Sequence, residues 1–337
     1  MENRNGIMMW AMSRAISHER FDVVFFPSVY TYVPVIGPAR VIVVIHDLIA
    51  EDFLQHILST LLGGVQMWLQ VVAARRCANL VMTVSEASRD GIARCFRIPR
   101  HQIAVIPEAA YRFFCPLPHE NMLAEMLARW KLADGRFLLY VGGISPHKNL
   151  QALIDALAEL RRRAGSAECK LTLGGDYAGD VFLSDCEKLS KRADALQPGD
   201  AVVITGYVDE ASLAILHSAA AALVLLSLAE GFGLPVIEAM ACGAPVVASA
   251  RGAVPEALGG AGLLFDPDRS GDLETVSHHL LTDASARDRL RELGLLRASD
   301  FSWEPAARQS RAAFRGLIGA PRRGCIGEEL PQSGNPT

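Results

Sequence analysis

Two carboxylates, Glu230 and Glu238, lie eight residues apart in the segment Glu-Gly-Phe-Gly-Leu-Pro-Val-Ile-Glu. The apolar run Ala221–Leu226 precedes them and predicts a buried strand. Pro235 suits the first turn of a helix, because that turn does not use the N–H that proline lacks. Gly243 suits the end of the same helix. We therefore expect Glu230 on the loop after the strand and Glu238 about one turn inside the helix.

The turn between the two carboxylates predicts a binding site for an anion. The backbone N–H groups of Phe232, Gly233 and Leu234 are expected at the start of the helix, where the helix dipole favours negative charge. Together with Gly231 these residues form a Gly-rich turn, for which a diphosphate is the obvious occupant. The carboxylates beside it suit the hydroxyl groups of a sugar and of a ribose.

This segment and its continuation, Ala-Met-Ala-Cys-Gly-Ala-Pro-Val-Val-Ala at residues 239–248, resemble the signature of the retaining GT-B glycosyltransferases. That group, family 4 in the usual classification, includes bacterial mannosyl- and glucosyltransferases. A match of this length is far more specific than a Gly-rich loop alone. The alternative is a strand, turn and helix of a doubly wound sheet whose carboxylates are merely solvated.

The composition of the chain indicates which classes of protein it can belong to. The chain has 337 residues, 50% of them hydrophobic and 21% charged, with a formal net charge of −4. These values are typical of a soluble globular protein of two domains, and they give no general attraction for nucleic acid. The seven cysteines are widely spaced and form no Cys-x-x-Cys pair, which indicates a reducing compartment and no structural zinc. No signal-peptide core follows the first residues, so we expect a cytoplasmic protein.

The run from Phe53 to Ala74 contains no charged side chain and is long enough to cross a bilayer. It also contains three glutamines and the pair Gly63-Gly64, and it lies between two predicted strands. A buried or groove-lining helix is therefore favoured over a membrane span. Peripheral contact with the inner face of the cytoplasmic membrane, through residues 53–76, is a further interpretation. Arg75 and Arg76 at the end of the run suit lipid headgroups, or they simply cap a helix.

Predicted strands alternate with predicted helices along the chain, which indicates an α/β protein with parallel sheets. The predicted strands are 21–26, 41–45, 80–84, 102–106, 136–141, 170–173, 201–205, 221–226, 245–248 and 262–265. The resemblance implies the GT-B architecture, in which two Rossmann-like domains with parallel sheets face each other across a cleft. We expect an acceptor-side domain at 1–128, a donor-binding domain at 129–300, a helix at 301–318 that packs back on the first domain, and a disordered tail at 319–337.

The beginning of the chain departs from the family's pattern. GT-B enzymes open with a strand and a Gly-rich loop that faces the cleft. Here a predicted helix at 7–17 comes first, and the first predicted strand begins at Phe21. We therefore expect an incomplete N-terminal domain that lacks the opening strand and the glycine loop.

Lys148 closes the loop Gly142-Gly-Ile-Ser-Pro-His-Lys148 after a predicted strand, and open α/β sheets bind their ligands at such strand ends. It resembles the family's phosphate-binding lysine, which neutralises the leaving diphosphate. Relatives carry an arginine at the position of Gly143 or, in a subgroup, of His147. Two interpretations follow: a protonated His147 substitutes for the arginine, or phosphate stabilisation is weaker. Asn149 is expected to cap the helix at 150–163.

The same resemblance implies that Glu230 contacts the donor sugar near its anomeric carbon and that Glu238 holds the ribose hydroxyls. Retaining glycosidases use a close carboxylate pair. In these transferases the acceptor hydroxyl instead attacks from the face that the nucleotide leaves, and a phosphate oxygen takes its proton. Binding and electrostatics then supply most of the catalysis. No Asp-x-Asp pattern in the expected setting and no His/Cys cluster indicates a metal, so we expect neither metal nor cofactor.

Other candidates are single residues with weaker patterns. His46 resembles a histidine that reaches the donor sugar and the acceptor, and a structural histidine is the alternative. Asp47 either orients His46 or caps the following segment. Ser85, in a Val-Ser-Glu-x-Ser pattern, predicts a helix cap rather than a catalytic group.

Two further positions follow predicted strands. Tyr207 and Val208 lie where relatives hold the nucleobase. For Tyr207, stacking on the base and burial in the core are equally open. Glu108 is expected to face the cleft, where it would tune the choice of acceptor.

These expectations combine into one leading function. A metal-independent, retaining enzyme transfers a hexose from a GDP- or UDP-sugar to a saccharide or lipid-linked acceptor in polysaccharide or glycolipid biosynthesis. The incomplete first domain favours one alternative, a non-catalytic nucleotide-sugar binding or partner protein. A GT-B epimerase or hydrolase is less favoured, because those enzymes lack the pattern of two glutamates eight residues apart.

Overall fold

The computed structural model describes residues 6–49, 70–117, 120–132, 137–175, 189, 191–193 and 201–319. The chain forms two compact units. The first contains residues up to Pro107 together with those from Glu304 onward, and the second is Glu108–Trp303. Each unit is built on its own parallel sheet, as the sequence predicts for an α/β protein.

The first unit contains a four-stranded sheet in the order β1-β2-β3-β4. Its strands are β1 Val23–Phe26, β2 Arg40–Val44, β3 Leu80–Thr83 and β4 Ile103–Val105, and its first helices are α1 Gly6–His18 and α2 Glu86–Phe96. Alternate residues of β2 face opposite sides: Val41 and Val43 pack in one buried cluster, and Ile42 and Val44 in another. Both faces of the sheet are thus covered, which explains the continuous apolar pattern of this strand.

The second unit contains a six-stranded sheet in the order β10-β9-β8-β5-β6-β7. Its strands are β5 Phe137–Val141, β6 Lys170–Gly174, β7 Val202–Gly206, β8 Ala222–Leu225, β9 Val246–Ser249 and β10 Leu263–Phe265. Its helices are α3 Glu120–Arg129, α4 Leu150–Arg161, α5 Glu210–Ala219, α6 Leu234–Ala241, α7 Val254–Leu258, α8 Asp272–Thr282 and α9 Ala284–Ala298. The chain builds outward from β5 in one direction through β6 and β7, and in the other through β8, β9 and β10. The point where the direction reverses lies between β5 and β8, and doubly wound sheets bind ligands there.

The strands confirm the sequence predictions to within two residues at each described end. The helix ends predicted at Pro235 and Gly243 are also confirmed: Pro235 lies in the first turn of α6, and Gly243 follows its C-cap with a φ of +77°. Asn149 occupies the N-cap position of α4 as predicted, but its side chain makes no capping hydrogen bond. It has a left-handed φ of 55° and follows a 3₁₀ turn at Pro146–Lys148.

The last helix, α10 Trp303–Gly319, belongs to the core of the first unit from Glu304 onward. Its Phe314 lies 5.3 Å from Phe25, ring centre to ring centre. Phe314 and Leu317 also pack against the cluster that contains Ile42. At the other boundary, the first unit ends at Pro107, whereas the sequence prediction places the division at 128. Helix α3 accounts for the difference, because it packs against α5 of the second unit.

Residues 53–69 of the uncharged run and residues 320–337 of the tail lie outside the described residues. Among the helices that the structure describes, none combines the length and the hydrophobicity needed to cross a bilayer.

Candidate active site

The loops after three adjacent strands, β5, β8 and β9, converge at one edge of the second sheet. The Leu228 N–H after β8 donates to the carbonyl of His147 after β5, over 2.8 Å. The Ser249 hydroxyl at the end of β9 donates to the carbonyl of Ser227. These bonds fix the three loops to one another, so groups on different loops keep defined distances.

An ion pair joins two of these loops. Lys148 Nζ lies 2.5 Å from Glu230 Oε1, and the two side chains are only 18% and 9% exposed. A pair removed from water in this way interacts more strongly than an exposed pair, although both groups also lose hydration. The structure therefore brings together the two residues for which the sequence predicted phosphate and sugar contacts.

His147 lies beside this pair and is 8% exposed. Burial is the main cause that lowers the pKa of its imidazole to about 4; the charge of Lys148 lowers it further and that of Glu230 opposes the change. The ring is therefore neutral near pH 7. This lowered pKa does not favour the interpretation of His147 as a protonated substitute for arginine.

The loop before Lys148 is held tightly against its own strand. Tyr140 donates a hydrogen bond of 2.8 Å from its hydroxyl to the carbonyl of Gly143. Gly142 has a φ of +145°, and a Cβ there would lie 2.9 Å from the Tyr140 hydroxyl oxygen. A side chain at Gly142 would therefore displace the loop, whereas Gly143 contributes its backbone to a fixed turn.

The residues of the predicted anion site lie at the start of α6. Gly233 has a φ of +89°, which favours glycine, and it precedes Leu234, the first residue of the helix. Gly231 is buried, and Phe232 packs edge-on against Phe301 with ring centres 5.6 Å apart. The packed phenylalanine fixes the turn, and the first amides of a helix have no intrahelical acceptor. This geometry suits a phosphate group next to Glu230.

Glu238 is the fifth residue of α6, about one turn from its start. Burial is the main cause that raises the pKa of its carboxyl to about 7, and the charges of Glu210 and Glu108 raise it further. Near neutral pH the group is therefore poised between its acceptor-only carboxylate form and a protonated form that also donates. Glu108, for which we predicted an effect on the acceptor, acts electrostatically on this carboxyl.

Tyr207 and Val208 follow β7, beyond a Gly206 that has a φ of +69°. The Tyr207 side chain is 79% exposed, so the core interpretation of this residue is wrong. Stacking on a nucleobase stays a prediction.

The first unit holds the remaining candidate, His46, just after β2. Its ring is exposed, and its Nε2 lies 3.0 Å from the carbonyl oxygen of Pro27. The Asp47 carboxylate accepts from the Ile49 N–H over 2.9 Å, which supports capping of the following segment. Ser85 caps α2 as predicted, since its Oγ accepts from the Ser88 N–H over 3.0 Å.

The sequence did not predict the residues that hold the backbone of Glu230 or those that raise the pKa of Glu238. The Ala253 N–H, after β9, donates to the carbonyl of Glu230 over 3.1 Å. Glu210 begins α5 and acts on Glu238 from a separate helix. The position of residues 250–253 after a predicted strand was the available signal. In the described part of the chain, no group of three or more His, Cys, Asp or Glu side chains is arranged to hold a metal ion.

Known proteins share this fold. HepE (Alr3699) of Anabaena, solved in complex with UDP and glucose, superposes with a TM-score of 0.76 at 19% identity, covering 92% of this chain and 82% of that one. Sucrose-phosphate synthase of Thermosynechococcus elongatus gives a TM-score of 0.74 at 23% identity, covering 93% of this chain and 78% of that one. Both parallel sheets thus belong to a fold found in solved glycosyltransferases, in agreement with the predicted GT-B class.

Sequence comparison shows the family. O-antigen chain mannosyltransferase B of Escherichia coli is 34% identical over 244 residues, which is 71% of this chain and 61% of that protein. The serotype-specific mannosyltransferase WbdA of Escherichia coli is 25% identical over 75% of this chain and 31% of its own length. The chain therefore spans less than two thirds of the length of these relatives. Family profiles match at residues 126–295, described as glycosyl transferases group 1, and at residues 2–109, described as glycosyltransferase family 4. The chain belongs to the group 1 glycosyl transferases.

Proposed function

We propose that this protein is a retaining, metal-independent transferase that moves mannose from a nucleotide-diphosphate sugar to a saccharide or lipid-linked acceptor. The proposal rests on the pair of Lys148 Nζ and Glu230 Oε1, 2.5 Å apart, beside the N-terminus of α6. A cation and a helix start suit the diphosphate, and carboxylates on either side of the turn suit sugar hydroxyls.

Each charged group of the site has a separate role in the reaction. Lys148 and the first amides of α6 take up the negative charge that grows on the leaving diphosphate. Glu230 accepts from hydroxyl groups of the transferred sugar and orients it. Glu238 accepts from the ribose hydroxyls, which tethers the nucleotide. The acceptor hydroxyl attacks from the side that the diphosphate leaves and passes its proton to a phosphate oxygen, so the anomeric configuration is retained.

Similar proteins indicate which donor sugar and which nucleoside to propose. The Escherichia coli relatives are mannosyltransferases, which favours mannose. The solved HepE complexes contain UDP with glucose, or UDP-glucose. Uridine and guanosine therefore both stay candidates for the nucleoside of the donor. An O-antigen relative favours a saccharide chain as the acceptor, and a lipid-linked acceptor would bring the protein to the cytoplasmic face of a membrane. The proposal includes peripheral contact of residues 53–76 with that membrane.

Transfer with a nucleotide-sugar panel tests the proposal. Full-length protein is incubated with GDP-mannose, UDP-glucose and related donors and with mannose oligosaccharides, and product is measured by mass spectrometry. Nuclear magnetic resonance then assigns the anomeric configuration of the new bond. We expect one donor to be used with retention, and Glu230→Gln to reduce the rate. A product of inverted configuration would contradict the mechanism. Donor binding without transfer would favour the non-catalytic alternative.

A further inference from the structure

Gly252 lies on the loop after β9 and touches the backbone of Glu230. A Cβ at Gly252 would lie 2.7 Å from the Glu230 carbonyl oxygen and 2.8 Å from its amide nitrogen. Gly252 also has a φ of +60°, in the region that favours glycine. The neighbouring atoms belong to the main chain, so they cannot rotate away as the end of a side chain can.

The next residue completes the contact. The Ala253 N–H donates to the same Glu230 carbonyl over 3.1 Å, and Ala253 is 1% exposed. The peptide of Glu230 is thus packed against the Gly252 Cα on one side and anchored by a hydrogen bond from a buried residue. The Glu230 side chain leaves this clamped peptide and reaches Lys148.

We propose that Gly252 is a positioning residue for Glu230: it allows the loop after β9 to approach closely enough to set where the sugar-binding carboxylate lies. This inference rests on the proposed function of Glu230. Ordinary van der Waals contact begins at 3.4 Å, so a methyl group at Gly252 must move the Glu230 peptide by roughly 0.7 Å. Displacements of this size at a reacting centre reduce rates by about 10- to 100-fold.

The test compares Gly252→Ala with Gly260→Ala. Gly260 has a φ of +86°, and nothing lies within 4 Å of a Cβ built there. Gly260→Ala therefore carries the backbone strain of a left-handed alanine without the contact to Glu230. Three quantities are measured on each variant: the Kd for the nucleoside diphosphate, the Kd for the nucleotide sugar, and kcat for transfer. Thermal unfolding confirms that each variant is folded.

In Gly252→Ala we expect a Kd for the nucleoside diphosphate within about threefold of wild type, because Lys148 and the amides of α6 stay in place. We expect kcat to fall about 10- to 100-fold, and the extra affinity that the sugar provides to shrink. Gly260→Ala should keep wild-type values for all three. A merely structural role would instead weaken all ligands equally or change only the unfolding temperature.

The outcomes separate this inference from the proposed function. Equal kcat in Gly252→Ala and wild type overturns the inference and leaves the proposed function intact. Absence of binding and of transfer in wild type overturns both. If Gly252→Ala is unfolded on its own, it is assayed at lower temperature with saturating nucleotide sugar, since a ligand that binds only the folded state stabilises it. A kcat equal to that of wild type under those conditions then overturns the inference.

Discussion

The affinity of the protein for a nucleotide sugar should depend on pH through Glu238. Burial and the nearby charges of Glu210 and Glu108 raise the pKa of Glu238 to about 7. If two ribose hydroxyls donate to this group, binding requires the carboxylate form. The ionised fraction in the free protein is about 0.9 at pH 8 and about 0.1 at pH 6, and apparent affinity scales with the competent fraction. We therefore expect the Kd to rise about tenfold from pH 8 to pH 6.

Titration calorimetry with a nucleotide sugar measures this dependence. Both phosphates of such a donor are esterified and have no ionisation between pH 6 and pH 8, so the ligand contributes no slope. His147, with its pKa lowered to about 4, does not titrate in this range either. Glu238→Gln should bind more weakly and lose the pH dependence. Glu210→Gln should shift the midpoint to lower pH, because it removes one of the charges that raise the Glu238 pKa. A Kd equal at pH 6 and pH 8, or a pH dependence that persists in Glu238→Gln, would show that Glu238 does not bind the donor as a carboxylate.

The same pKa shift predicts how the stability of the ligand-free protein varies with pH. The ordinary pKa of this carboxyl is 4.5, and the folded protein holds it near 7, so the folded state binds its proton more tightly than the unfolded state. The contribution of Glu238 to stability is therefore complete below pH 4.5 and is lost as the pH rises through 7. Linkage converts the difference into up to about 3 kcal/mol. Urea unfolding at pH 5 and pH 8 should show a smaller difference in Glu238→Gln than in wild type.

Three further predictions concern the fold and the site. Lys148→Met should cost about 1–3 kcal/mol of stability, because it leaves the 9% exposed Glu230 carboxylate unpaired, and Glu230→Gln in the same chain should restore part of the loss in urea unfolding. Ser85→Ala should cost about 1 kcal/mol in the same measurement, because it removes the cap of α2. Leu139→Ala should cost about 2–5 kcal/mol, because the side chain is fully buried in β5, and an unchanged denaturant midpoint would contradict the burial.

Local patterns explain why most of the second unit was predictable. Continuous apolar runs such as Ala221–Leu226 indicate buried parallel strands, and Pro235 and Gly243 mark the ends of α6 through the backbone conformations they favour. These signals lie within a few residues of the element they define. The first boundary between the units lies after Pro107 rather than at 128, because α3 joins the second unit through its contact with α5, which is distant in sequence.

The parts of the site that sequence reasoning missed are contacts between distant segments. The Gly252 contact joins two loops whose strands are neighbours only after folding. The raised pKa of Glu238 depends on Glu108 and Glu210, which come from two other segments. The residue type of Asn149 places it at the start of α4, but only the structure shows that its backbone is left-handed and that its side chain makes no capping bond. Residue types predicted the candidate groups of the site, and only the fold shows which contacts hold these groups and which charges shift their pKa values.

Thermal stability with a panel of nucleoside diphosphates and nucleotide sugars, on wild type and on Glu238→Ala, tests the donor site itself. A ligand at a hundred times its Kd should stabilise the folded protein by about 2.7 kcal/mol. We expect ligands of one base to raise the unfolding temperature of wild type, and most of this increase to be lost in Glu238→Ala. No shift with any nucleotide, or an equal shift in the variant, would contradict a donor site formed by Lys148, Glu230, Glu238 and the start of α6.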